Sequence, residues 1–377
     1  MRKSFKYRIY PNKSQIKKID EILDSCKTLY NNALAERISS YNNYKISLSY
    51  KDQYKDISTL NSNKLSFVYS QTYQNVLKTV DKAFSNFFKR VKEKSGKAGF
   101  PRFKSKLKSF TFPQCNLYIG GIRLINNKID VYGIGKIKIV LHRPISGTCK
   151  TAQIIKTSTN KYFLVASCED VATQHLPKTN KEVGIDLGIS SFATLDDGTK
   201  FHHPKPYKTS KEKLEYLNKK LLRAKEESKN REKIRVSRAK IYEKEENIRK
   251  DYQHKLSNKI LKEYDKIYIE KLNVKNMLES KKSNKNLNKE IANASWDAFA
   301  KMLIYKAVSA DKLVIEVKAK NTSKTCSNCK KIKKELCLKD RVFECHACGM
   351  TFDRDVNAAL NIKRLGISLA SSRSPTL

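Results

Sequence analysis

Three carboxylates and four thiols in this chain stand where chemistry is possible. Asp186 lies in the apolar run VGIDLG between two glycines, Glu270 closes the run KIYIE, and Asp355 opens the helix-like stretch DRDVNAALNI. One aspartate at a strand end usually does no more than cap or turn the chain. The same placement repeated on three elements points further: carboxylates so arranged are what two Mg²⁺ ions need to bridge a scissile phosphate, one activating water and the other stabilising the leaving oxygen. Cys326, Cys329, Cys345 and Cys348 form CxxC-x15-CxxC. Thiolates in two such turns can surround one tetrahedral Zn²⁺ and leave no open position, which makes the expected site structural. Cys337 and His346 lie close enough in sequence to act as alternative ligands, but the paired turns already fill four positions.

The elements that must carry these residues can be read from periodicity. Lys6 to Tyr10 alternates as a strand that Pro11 ends. From Gln15, the positions Ile16, Ile19, Leu23, Cys26, Tyr30, Ala33 and Leu34 recur at helical spacing, and residues 69–94 repeat the pattern. After Gly96, Gly99 and Pro101, short β-type runs separated by Gly and Asn-Asn predict hairpins over residues 100–170, a β-rich and barrel-like region. Beyond Glu182 strands and helices mix. EVGIDLGISSFATLDDGT predicts a hairpin, residues 210–262 a long charged helical stretch, KIYIEKL and KLVIEV strands, and NASWDAFAKMLIYKAV a helix. The residues after Gly366 read as a short disordered tail.

Composition narrows the partner. Lys+Arg 78 against Asp+Glu 37 gives a formal net charge of +41, more than the lysine enrichment of an AT-rich genome accounts for, so a polyanion, nucleic acid first, is the expected partner. The start MRKSFKYRIYPNK has no apolar export core and no run of 18 apolar residues occurs, so neither secretion nor a membrane span is expected. In the reducing interior this implies, Cys26, Cys115, Cys149 and Cys168 are expected to pack as small apolar residues. Arg102 and Lys104 in PRFKSK, Arg231, Arg235 and Arg238 in the charged helical stretch, and Arg354 are candidate nucleic-acid contacts. Phe110 and Phe112 alternate with polar neighbours as core strand residues do, although aromatics among basic residues can also stack on bases. His254 is expected to be packed or to end a helix, and Asp353 to hold Arg354.

Several motifs in one order resemble the TnpB/OrfB family of insertion-sequence proteins, relatives of the type V CRISPR effectors: YRIYPNKSQ, TLYNNAL, FPRFKSK, GIDLG, NREK, HKLS, IYIEKL, SWDAF, TSKTCSNC and DRDVNAALNI. The resemblance spans nearly the whole chain. It implies an α+β multidomain fold: a first wedge strand (1–10), a helical recognition domain (11–98) and a β-barrel-like wedge domain (99–176). An RNase H-like (RuvC) α/β nuclease domain follows (177–320 and 353–366), with an inserted zinc ribbon (321–352) and a tail (367–377). Matched residue by residue, Asp186, Glu270 and Asp355 fall on the RuvC acidic triad and the four cysteines on the zinc module. The departures are Lys330, where the family usually has Gly, and the extra thiol Cys337.

Such a family implies an RNA-guided, Mg²⁺-dependent DNA endonuclease, linked to transposition, with a noncoding guide RNA and a double-stranded DNA target as partners. It would act as a monomer in the RNA-bound complex, in the cytoplasm of a prokaryotic cell on nucleoid DNA. A tyrosine-type transposase is disfavoured because FHHPK, with His202 and His203 adjacent, lacks the apolar residue such a histidine pair encloses. The alternative is a nuclease-inactive or accessory DNA/RNA-binding protein that regulates transposition, which is expected to lack part of the triad.

Overall fold

The computed structural model describes residues 1–60, 68–93, 98–173, 175–279, 285–318, 321–333, 335–336 and 340–372. The chain divides into two compact units, Met1–Ala172 and Thr173–Leu377.

The first unit begins with β1 (Lys3–Tyr10), α1 (Lys13–Tyr44), α2 (Tyr50–Leu60) and α3 (Ser70–Lys92). It continues with β2 (Ser109–Pro113), β3 (Ile122–Ile125), β4 (Lys128–Val131), β5 (Gly135–Val140), β6 (Thr148–Lys156) and β7 (Tyr162–Glu169). The strands form one antiparallel sheet in the order β2-β6-β7-β1-β5-β4-β3. Period-two alternation places Phe5, Tyr7, Ile9, Phe110, Phe112, Ile154 and Leu164 on its buried face, where α1 lays Ile19, Ile22, Leu23, Cys26, Tyr30 and Leu34. The sheet curls into a half-barrel. Just past β2, Cys115 Sγ donates to Ile122 O on β3 at 3.5 Å, and a Cβ on Gly121 would come within 2.6 Å of the Phe112 ring, so only glycine fits there. Phe110 and Phe112 are core and not base-stacking residues, and all four scattered cysteines are buried. Asn12 starts α1 with a reciprocal capping box to Gln15.

The second unit opens with β8 (Glu182–Leu187), β9 (Ala193–Leu195), β10 (Lys200–Phe201), α4 (Pro206–Arg223), α5 (Lys229–Glu263) and β11 (Lys266–Glu270). Then come α6 (Val274–Glu279), α7 (Lys285–Ala294), α8 (Trp296–Ala310), β12 (Leu313–Val317), β13 (Val342–Glu344), β14 (Thr351–Asp353) and α9 (Arg354–Ser371). The sheet order is β10-β9-β8-β11-β12, with β8, β11 and β12 parallel and the β8–β9–β10 meander antiparallel. This is an RNase H-like sheet, and its central strands are apolar on both faces because helices cover both. On one side Leu256, Ile260, Phe299 and Leu303 of α5 and α8 meet Val183, Ile185, Ile267 and Ile269. On the other, Ile362 of α9 meets Tyr268, Ile315 and Val317. The approach of α9 is close enough that a Cβ on Gly184 would fall 2.2 Å from Ala359 O.

Two expectations need correction. The helix α9 does not stop at Gly366 but runs to Ser371, because Leu365 and Ala370 still pack on the Tyr268–Ile315–Val317 cluster; residues 373–377 lie outside the described residues. His254 is neither packed nor at a helix end: it is exposed in the body of α5. Among the described residues no helix is long and apolar enough to cross a membrane.

Candidate active site and metal centre

Parallel pairing of β8 with β11 sets Ile185 against Ile269, so the next residues, Asp186 and Glu270, leave the sheet side by side at its C-terminal edge. Glu270 is 8% exposed, and its Oε1 accepts the Leu187 N–H at 3.2 Å. Asp355 arrives in the first turn of α9, positioned by Asp353. One Asp353 oxygen caps the helix by accepting from the amides of Asp355 (3.0 Å) and Val356 (3.2 Å), and the other takes Lys200 at 2.6 Å. One Asp353 oxygen thus caps α9 and the other ties its start to Lys200 of β10.

The carboxylates feel one another. Burial, and then the charge of Asp355, pushes Asp186 up to about 7, with Arg354 opposing; burial and the charge of Asp186 likewise raise Glu270 well above its ordinary value. A cluster of acids that resists ionisation when alone is a place where cations bind. Among the described residues, only the cysteine quartet has ligand atoms that all lie within 4.8 Å of one another.

The quartet meets the geometric test for zinc. Cys326 Sγ lies 3.7 Å from Cys348 Sγ and Cys329 Sγ 3.5 Å from Cys345 Sγ, near the roughly 3.8 Å that tetrahedral Zn–S bonds of about 2.3 Å impose. Backbone amides, Ala347's first, hold Cys345 down at about 6, which favours the thiolate a metal needs. The two knuckles share one backbone form: Lys330 N bonds Cys326 O at 3.1 Å, Gly349 N bonds Cys345 O at 2.8 Å, and both residues have φ 69°. The first knuckle thus carries a lysine in the left-handed region where the second carries glycine. His346 is exposed and outside the quartet, and Cys337 lies outside the described residues.

What the sequence reading missed is the joint between ribbon and nuclease sheet. Asn357 and Asn361, fully buried one turn apart on α9, stitch the first knuckle to the helix. Asn357 Oδ1 accepts from Ser327 N at 2.8 Å and its Nδ2 donates to Thr325 O at 2.8 Å; Asn361 Nδ2 donates to Thr325 O at 2.7 Å and Thr322 O at 3.0 Å. The signal was present as two asparagines on the same face as Ala358 and Ile362, a polar pair where the helix is otherwise apolar.

The candidate nucleic-acid residues divide. Arg231 is occupied: its Nη1 donates to Leu221 O at 2.9 Å and Ala224 O at 2.8 Å, capping the carbonyls that end α4 and fixing the turn into α5. Arg235 is exposed beside Glu232, and Arg238 lies over Tyr242, 5.9 Å from the ring centroid. Arg102 is exposed, Lys104 Nζ sits 5.5 Å from the Tyr30 ring centroid, and Arg354 stands at the carboxylate cluster.

Comparison with solved structures bears on the fold. A structure titled "Cryo-EM structure of the Cas12f1-sgRNA-target DNA complex" matches over 96% of this chain and 98% of that one, with a TM-score of 0.56 at 14% identity. The chain therefore shares the fold of that structure. Three family models match in sequence order: "Helix-turn-helix domain" of OrfB over residues 1–45, "Probable transposase" (OrfB, IS605) over 163–281, and "Cas12f1-like, TNB domain" over 296–362. By these matches the chain is similar to the OrfB proteins of insertion sequences. A "Putative RNA-guided DNA endonuclease" of Streptomyces pristinaespiralis is 29% identical over 98% of this chain and 91% of its own length. The "Putative RNA-guided DNA endonuclease InsQ" of Escherichia coli K12 is 28% identical over 96% and 92% respectively.

Proposed function

We propose that this protein is an RNA-guided DNA endonuclease of the insertion-sequence type, with Asp186, Glu270 and Asp355 as its catalytic acids. The observation that carries the reading is the convergence of these three side chains, from β8, β11 and α9, at one edge of an RNase H-like sheet. Bound Mg²⁺ would activate water and stabilise the leaving oxygen in phosphodiester hydrolysis. The chain's own part is to hold the ligands: the sheet register fixes Asp186 and Glu270, and the Asp353 cap fixes Asp355. Zn²⁺ held by Cys326, Cys329, Cys345 and Cys348 would close the ribbon, and the Asn357 and Asn361 stitches transmit that closure to α9.

The partners are a guide RNA and a double-stranded DNA target, bound by one copy of the chain in the cytoplasm. The net charge of +41 serves to neutralise phosphates of both. Residues 11–98 and 99–176 read the short DNA motif beside the element, and guide pairing supplies the rest of the specificity. Arg102, Lys104, Arg235, Arg238 and Arg354 are the phosphate contacts. The test is cleavage of a plasmid carrying the matched target by protein purified with its own RNA. Cutting is expected with Mg²⁺ and RNA together, and equal cutting after the RNA is digested away would overturn the guide.

A further inference from the structure

We infer that the helical part of the first unit contains a pocket for one unpaired base of the bound RNA. The inference rests on the RNA-binding reading above. A cavity of about 570 Å³ opens between α1, α3 and the segment after Gly99, within the size range of pockets that hold small organic groups. Its apolar wall is an aromatic cage. Phe84 and Phe88 stack at 6.3 Å between ring centroids, and Phe100 stands edge-on to Phe84 at 5.7 Å and to Phe87 at 5.3 Å. Phe88 is 60% and Phe100 49% exposed, so large ring faces meet solvent at the mouth.

Arg37 lines the cavity beside Phe84, its guanidinium carbon 5.8 Å from that ring's centroid. Arg37 is only 7% exposed; its Nε donates to Gln53 Oε1 at 2.7 Å, its Nη1 is paired with Asp81, and its Nη2 is buried without a partner among the described residues. A base entering the cavity would stack on the exposed rings of Phe88 and Phe100, as unpaired bases stack on aromatic side chains. The surroundings suit an anionic strand: Lys89, Arg90 and Lys92 end α3, and Lys45 lies 5.5 Å from the ring centroid of Tyr41, another lining residue. The occupant is RNA and not duplex DNA because loops and bulges offer bases already unstacked, whereas a base in a DNA duplex must first be pulled out of the stack.

The experiment uses the full chain with its co-purifying RNA. Ultraviolet crosslinking and sequencing should join a peptide containing Phe88 or Phe100 to a single unpaired nucleotide. Phe88→Ala, at an exposed ring, should leave the melting temperature unchanged and weaken RNA affinity roughly 5- to 150-fold, the worth of one stacked base. Removing the base of that nucleotide should weaken wild type equally and the variant no further. Unchanged RNA affinity in Phe88→Ala, a crosslink to DNA only, or a changed oligomeric state in the variant would each overturn the pocket. Wild-type protein that carries no RNA would sink the functional reading itself.

Discussion

Replacing Asn357 with alanine tests whether the ribbon and the nuclease helix are one mechanical unit. The side chain is fully buried and makes two bonds across the joint, to Ser327 N and Thr325 O, both at 2.8 Å. Thr325 O keeps a second donor in Asn361 Nδ2, so the main loss is at the part-buried Ser327 N–H. An orphaned buried donor costs about 1–3 kcal/mol and the forfeited second bond about 1 more, giving about 2–4 kcal/mol against the closed knuckle. Since about 1.4 kcal/mol is a factor of ten, amide hydrogen exchange at residues 325–330 should accelerate by roughly 30- to 1,000-fold while that of β8 and β11 stays unchanged. Cleavage should fall with RNA affinity preserved, because α9 is the element that carries Asp355. If knuckle exchange is unaltered, or if β11 opens as readily as the knuckle, the joint is not what holds the ribbon to the helix.

Other substitutions probe the supports separately. Asp353→Ala removes the α9 cap and the Lys200 contact; with a cap worth about 0.5–2 kcal/mol and the half-exposed pair little more, melting should drop by a few degrees while cleavage falls disproportionately. Lys330→Gly relieves a non-glycine residue at φ 69° and should raise resistance of the ribbon to zinc chelators by about 0.5–1 kcal/mol; weaker zinc retention would contradict the knuckle comparison. Lys312, with its side chain 1% exposed, depends on Asp265 at 2.8 Å, so Asp265→Ala should destabilise the second unit by about 3–5 kcal/mol in denaturant titration. Lys312 and the amides of Thr179 and Asn180 hold Asp265 well below the usual carboxylate range. Its stabilisation is therefore complete above about pH 4, the unfolded value, and is lost as pH falls further, a dependence the alanine variant should lack.

The sequence shows its chemistry more clearly than its supports. Asp186, Glu270 and Asp355 are visible because each interrupts an apolar run at an element end, and cysteine spacing is legible without any fold. The helix α2 escapes notice because the apolar positions of YKDQYKDISTL are few and set among charged residues; Tyr50 and Tyr54 pack on the first core, and Gln53 Nε2 donates to Ala33 O at 2.9 Å. Arg231 reads as one more basic residue on a charged helix, since its real partners are carbonyls at the end of a different helix. Asn357 and Asn361 stand beside the alanines expected to pack on the sheet, but their function depends on a knuckle about 30 residues away in sequence, which periodicity does not reach. Gly366 suggests an ending, yet it is where α9 passes so close to Tyr268 that a Cβ would fall 2.2 Å from the ring.

The central claim, that the Asp186–Glu270–Asp355 edge is the catalytic centre of an RNA-guided nuclease, is tested most directly by comparing wild type, Asp186→Ala and Glu270→Ala as RNA-bound proteins on matched plasmid DNA with Mg²⁺. Wild type is expected to cut, and both variants to bind RNA and target equally well yet leave the DNA intact. Cutting by either variant at the wild-type rate would contradict the account.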